Sequence, residues 1–139
     1  MKAVFIPMII SFVYAVFLPL QLETAWLYSA LLVFLFGMAF TVVVLLIFAT
    51  SPKDKAVTTG PYRFSRNPMY VGLILMQIGV GVACASWLYL LLTAVLMIML
   101  NAVLSSEERY CLYRLGDDYR EYKDRTPRWI GTPKSKKSD

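Results

Sequence analysis

The sequence contains no histidine, which removes every site that depends on an imidazole: a His-ligated zinc hydrolase, a histidine general base, a His-ligated haem. Its two cysteines, Cys84 and Cys111, cannot build a four-thiolate metal cage. Charge is scarce as well. Asp, Glu, Lys and Arg make up 17% of the 139 residues, against about 25% in a soluble domain. Hydrophobic side chains reach 58% and the mean hydropathy is +0.59. Disorder, collagen and disulfide-stapled scaffolds are excluded by this composition. What remains is a small integral membrane protein, long enough for one compact unit and too short for two.

Charge-free stretches mark the spans. No charged residue falls between Ala3 and Leu22, between Thr24 and Pro52, or between Asn67 and Ser106. A hydrocarbon core of about 30 Å takes roughly 20 helical residues, so the first two stretches hold one span each. The third, at 40 residues, would reach about 60 Å as one helix and must fold back, with Cys84-Ala85-Ser86 as the turn. The pattern predicts an all-α integral membrane fold in one domain over 1–139. It has four transmembrane helices at about 4–21, 25–49, 68–84 and 87–104, the last two a helical hairpin, and a cytoplasmic helical tail at 105–139. Lys2 ahead of an apolar run also resembles a signal peptide, but Gln21-Leu22-Glu23 is a poor small-residue cleavage site, so the run is expected to remain as a span. Pro7 and Pro19 fall near its ends, where a missing backbone N–H costs least.

Orientation follows from the basic residues. Of 14 Lys and Arg, one is Lys2, four are Lys53, Lys55, Arg63 and Arg66, and nine follow residue 104. The turns at 21–25 and 84–86 have none. Positive residues favour the cytoplasmic side, so a multi-pass protein of bacterial inner-membrane type with both termini cytoplasmic is expected. Cys84 and Cys111 then lie on opposite faces and do not pair. Basic loops against a membrane account for the pI of about 9.3, and neither a nucleic-acid motif nor a metal-ligand cluster accompanies them. A small cation exporter would need a carboxylate inside the membrane; Glu23 falls in a loop and the spans hold no charge.

Two constellations stand out on the cytoplasmic side. The first runs from Thr58 to Gly72. Gly60-Pro61 marks a turn, and Asn67-Pro68 reads as an N-cap followed by proline at the first helical position. That account leaves Tyr62, Arg63, Arg66 and Tyr70 crowding one helix start, where free N–H groups and the helix dipole already attract anions. Interfacial anchoring is the plain alternative for the arginines. The second constellation follows the fourth span: Glu107 and Glu108, then Leu112, Leu115, Tyr119 and Tyr122 at helical spacing. Gly116 is placed to end one helix and Asp117 to cap the next. A solvated amphipathic helix at the membrane surface explains this too, yet adjacent carboxylates beside a basic loop suit an ammonium or ribose hydroxyls. Together the two groups suit a zwitterionic ligand.

These residues resemble a known family. Gly60-Pro61-Tyr62-Arg63, Arg66-Asn67-Pro68-Met69-Tyr70-Val71-Gly72, Glu107-Glu108, the run Leu115-Gly116-Asp117-Asp118-Tyr119-Arg120-Glu121-Tyr122 and Thr126-Pro127-Arg128 are similar to the isoprenylcysteine carboxyl methyltransferase and phospholipid methyltransferase superfamily. The resemblance covers roughly 50–130, with the motifs in order. It implies an S-adenosylmethionine-dependent enzyme acting on a lipidic or small hydrophobic acceptor in the bilayer. Its cofactor pocket would be made by 60–72, the 107–108 pair and the folded tail. Tyr62, Arg66, Asn67, Pro68, Tyr70 and Gly72 would line the methionyl and adenosyl groups. Glu107 and Glu108 would bind polar groups of the cofactor or orient substrate, Tyr119, Tyr122 and Arg125 would close the site, and Glu108 and Arg125 are the implied catalytic pair. Gly79-Val80-Gly81 is similar to a G-x-G element of phospholipid members, though small residues are common at membrane-helix contacts.

The sequence departs from the family pattern twice. Asn67 stands where the family has histidine before proline, and Leu115 replaces an aromatic before Gly116. Asn67 can hydrogen-bond but not act as a base, which favours a carboxylate acceptor or one deprotonated by water. Isoprenylcysteine, phosphatidylethanolamine, a fatty or polyprenyl acid and a small thiol are all compatible. A catalytically inactive member serving as a membrane scaffold or adaptor is the alternative.

Overall fold

The structure, a computed structural model, describes residues 2–20 and 25–134, with side chains from Ile6 onward. Gln21-Leu22-Glu23, read above as an uncleaved loop, and residues 135–139 of the tail lie outside the described residues. Among the described residues the regular structure is helical throughout: α1 (Lys2–Val16), α2 (Ala25–Thr50), a 3₁₀ turn (Gly60–Arg63), α3 (Pro68–Ala83), α4 (Trp87–Leu115) and α5 (Asp117–Arg125). Two helices, α2 with 26 residues and α4 with 29, are long and apolar enough to cross a membrane, while α1 and α3 contain shorter apolar helical segments. Large side chains such as Leu32, Phe36, Leu46 and Ile98 point outward from α2 and α4, an apolar surface far beyond what water tolerates on a monomer.

Two boundaries differ from those read off the charges. The first helix ends at Val16 rather than near 21, and the chain turns through Phe17 N–H to the Tyr14 carbonyl and Leu18 N–H to the Ala15 carbonyl. Pro19 explains this, because a residue before proline is driven out of the α region. The fourth helix does not stop at 104 but continues unbroken to Leu115. Nothing between 104 and 115 breaks it, and Gly116, at φ 58°, ends it with its N–H on the Leu112 carbonyl. Asp117 is the first residue of α5, with Gly116 in the cap position.

The α3–α4 hairpin turns at Cys84-Ala85-Ser86, where Ala85 takes φ 47° and Ser86 Oγ accepts the Tyr89 N–H at 3.2 Å. Small residues set the α2–α3 contact. A Cβ on Gly72 would meet Thr41 Oγ1 at 2.2 Å, and one on Gly37 would meet the Gly72 carbonyl at 2.9 Å. Helix α1 is joined to this pair by polar side chains: Gln77, buried, donates to Ser11 Oγ and accepts from Tyr89 Oη. At the other end, Tyr70, Leu100 and Leu104 form a buried cluster against which Met69, Val103 and Trp129 pack. That cluster is the floor of the site.

Candidate functional site

The site forms where three segments meet: the turn ahead of α3, the last turns of α4, and the strap from Thr126 to Lys134 that follows α5. Backbone hydrogen bonds lay the strap along the turn. Arg66 N–H donates to the Pro127 carbonyl at 3.0 Å, Gly131 N–H to the Phe64 carbonyl at 3.0 Å, and Lys134 N–H to the Arg125 carbonyl at 2.9 Å. Buried Ser65 adds a cross-link, its Oγ accepting the Asn67 N–H at 3.1 Å and donating to the Arg128 carbonyl at 3.3 Å. Trp129 Nε1 donates to Asn101 Oδ1 at 2.9 Å and pins the strap to α4.

Asn67 sits in the N-cap position of α3, but its side chain does not cap the helix. Its Nδ2 donates instead to the Arg128 carbonyl at 3.3 Å. Pro68 is buried at the first helical position and touches the site only through the backbone it sets.

The charged centre is Glu108. Its carboxylate, 5% exposed, lies 3.3 Å from Arg66 Nη1 and accepts Arg128 Nε at 3.1 Å and Nη2 at 2.9 Å. One carboxylate therefore faces two guanidiniums, leaving a net positive charge. The side chain of Arg66 is 10% exposed, and among the described residues its Nε and Nη1 have no hydrogen-bond partner, Nη1 being held by the ion pair with Glu108 alone. Buried N–H groups left this way are costly, and an anion would satisfy them. The hydrogen bonds that Arg128 donates to Glu108 raise its pKa, so its charge is secure.

Glu107 serves a different neighbour. Tyr70 Oη lies 3.3 and 3.4 Å from its two oxygens, a long contact for a hydroxyl donor. Successive helical residues point about 100° apart, which is why adjacent carboxylates divide in this way.

Aromatic residues of α5 complete the enclosure. Tyr119 and Tyr122 are buried and meet edge to face at 5.9 Å. Tyr122 Oη donates to the Tyr62 carbonyl at 2.8 Å. Burial, with Cys111 and Glu108 nearby, pushes the Tyr119 phenol up to about 12 against the pull of Arg66 and Arg128. Burial raises Tyr122 and Tyr62 as well.

Of the residues singled out in the sequence, Tyr62, Arg66, Asn67, Tyr70, Glu107, Glu108, Tyr119 and Tyr122 come together around this centre. Gly72 does not, because it is spent on the approach to Thr41. Arg125 does not either: it pairs with Glu121, four residues back on α5. The second guanidinium on Glu108, beside that of Arg66, belongs to Arg128, which the sequence displayed in Thr126-Pro127-Arg128 without marking it as the partner. Ser65, Asn101 and Trp129 were missed because nothing local distinguishes them. Among the described residues no group of three or more His, Cys, Asp or Glu is placed to hold a metal ion.

A family model described as phospholipid methyltransferase matches residues 26–117. The match takes in α2, α3, α4 and the Glu107-Glu108 pair, and leaves out α1 and the strap. No curated protein and no solved structure matches the chain.

Proposed function

The chain belongs to the phospholipid methyltransferase family, and from that premise we propose that it transfers the methyl group of S-adenosylmethionine to a lipidic or membrane-associated acceptor, a carboxylate, amine or thiol, at the cytoplasmic face of the membrane. The observation that carries this reading is the buried guanidinium of Arg66, whose Nε and Nη1 make no hydrogen bond among the described residues although Nη1 lies 3.3 Å from Glu108. Those two N–H groups fit the carboxylate end of the donor, and Glu107 and Tyr70 Oη fit an ammonium or hydroxyl. Tyr62, Asn67, Tyr119 and Tyr122 would complete that pocket.

When bound, S-adenosylmethionine supplies an electrophilic sulfonium methyl. The task of the chain is to hold donor and acceptor at about 3–3.5 Å in line and to keep water out, which the strap and the α5 tyrosines suit. Glu108 acts as the counter-charge that positions Arg66 and Arg128. Arg128 takes the part that the resemblance gave to Arg125. Asn67, spent on the Arg128 carbonyl, offers no base. A carboxylate acceptor needs none, and an amine or thiol would lose its proton to water.

The proposed setting is a single domain with four spans and both termini cytoplasmic. On this reading α1 and α3, at 15 and 16 residues, span about 22–24 Å and meet a locally thinner core. Helix α4, at 29 residues, carries its charged end clear of the membrane, and acceptors enter sideways from the bilayer.

The test is transfer of a labelled methyl group from S-adenosylmethionine into membrane-lipid fractions, alongside titration with S-adenosylhomocysteine. Label in a lipid fraction supports the proposal. Binding without transfer to any fraction favours the scaffold alternative, and absence of binding by the folded protein overturns the enzyme reading.

A further inference from the structure

A cleft of about 570 Å³ opens between the loop after α2, the 3₁₀ turn, α5 and the strap. Of the residues that the structure gathers around Glu108, Tyr122 alone lines it; Arg125, which the resemblance gave to the closing of the site, lines it too. Its charged lining is Lys55, Arg63, Arg125 and Lys134 against Asp118 and Glu121, and Arg125 already pairs with Glu121. Cations from four separate segments thus outnumber the acids. Their placement is built rather than incidental, since the Lys134 N–H on the Arg125 carbonyl fixes the strap against α5.

We propose that this cleft binds the phosphate of an anionic phospholipid headgroup, at a site separate from methyl transfer. Charge complementarity is the first argument: among the described residues no ion pair engages Lys55, Arg63 or Lys134, and a phosphodiester would supply an anion to all three. Position is the second. Helix α2 ends at Thr50, so Lys55 lies close to the membrane surface in the four-span topology, where lipid phosphates are concentrated. A bound headgroup would tie the strap to the loop after α2. The proposal rests on that topology and not on the methyl-transfer reading.

The experiment places the full-length protein in phosphatidylcholine nanodiscs. It is titrated with dihexanoyl phosphatidylglycerol, dihexanoyl phosphatidylcholine and inorganic phosphate, with binding read by thermophoresis. Phosphatidylglycerol should bind tightest, with an affinity that falls as salt rises. A Lys55→Gln, Lys134→Gln double variant should lose about 30-fold in that affinity, about 5-fold for each lysine, with unchanged affinity for S-adenosylhomocysteine. Equal binding of the two lipids, full affinity in the double variant, or inorganic phosphate binding as tightly as the lipid would each overturn the assignment. A parallel fall in S-adenosylhomocysteine affinity would also overturn it, by giving the cleft to the cofactor. Failure of the methyltransferase reading looks different: wild-type protein would bind phosphatidylglycerol and not S-adenosylhomocysteine.

Discussion

Arg128 grips Glu108 with both arms of its guanidinium, Nε 3.1 Å from Oε1 and Nη2 2.9 Å from Oε2. The two residues lie on either side of the helix break at Gly116, so the fork joins the strap to the end of α4. Bidentate geometry is what a lysine cannot reproduce. Arg128→Lys keeps the charge and loses the fork. We expect destabilisation of about 1.5 kcal/mol, the lower end for a charge-assisted hydrogen bond, because the Arg128 side chain is 31% exposed. A melting curve equal to that of wild type would remove the fork from the stability of the strap.

Arg66 is tested through binding. Its Nε and Nη1, without a hydrogen bond among the described residues, have most to gain from a ligand anion. Arg66→Ala should weaken S-adenosylhomocysteine by about 10- to 150-fold, the equivalent of one charge-assisted hydrogen bond. An unchanged dissociation constant in a folded variant would take Arg66 out of the cofactor pocket.

The pH dependence of the tail follows from Tyr119. Its phenol is raised from 10.0 to about 12 in the folded protein, first by burial. The fold therefore favours the neutral form. Its contribution to stability is complete below about 10 and is lost as pH rises from there through about 12. Absorbance of the phenolate should show Tyr119 in a late-titrating class in this window, together with other tyrosines raised by burial, accompanied by loosening of α5. A Tyr119 that ionised with the exposed tyrosines would contradict its burial.

Much of the helical layout was legible because long apolar helices show as charge-free runs in the sequence. The turn at Cys84–Ser86 and the break at Gly116 could be read from length and from glycine. The end of α1 could not, since it depends on how Pro19 acts on the residue before it. The site was legible in part. Arg66, Glu107 and Glu108 stood out as charges at helix ends, whereas the partnership of Glu108 with Arg128 joins residues 20 apart in sequence and depends on the path of the strap. Gly72, which admits Thr41 of α2, shows a limit of the sequence: a glycine that admits a neighbouring helix looks the same there as one that admits a ligand.

Topology is tested with the two cysteines. In the four-span arrangement Cys111 lies on the cytoplasmic side and is half-buried, while Cys84 lies at the opposite turn and is buried. A membrane-impermeant maleimide should label Cys111 in inverted vesicles and not in intact cells. A C-terminal tag should be reached by protease only from the cytoplasmic side. Labelling of Cys111 from outside intact cells would reverse the orientation.

The acidic pair gives the sharpest separation between enzyme and scaffold. Glu108→Gln preserves shape but removes the carboxylate that lies against both Arg66 and Arg128. Two guanidiniums would then repel each other in a largely buried setting, and breaking such pairs is strongly destabilising. We expect single-turnover methyl transfer with saturating donor to be abolished, with weaker S-adenosylhomocysteine binding and a lower melting temperature. Glu108→Asp keeps the charge and should recover part of the binding, which a purely space-filling role would not predict. Glu107→Gln should be milder, because its amide oxygen can still accept from Tyr70 Oη, now 3.3 Å from the carboxylate. The order of effects matters more than either value. If Glu108→Gln kept full activity and stability, the Arg66–Glu108–Arg128 cluster would have no part in positioning the donor. If Glu107→Gln proved the more damaging, the centre of the reaction would move to the Tyr70 side of α4.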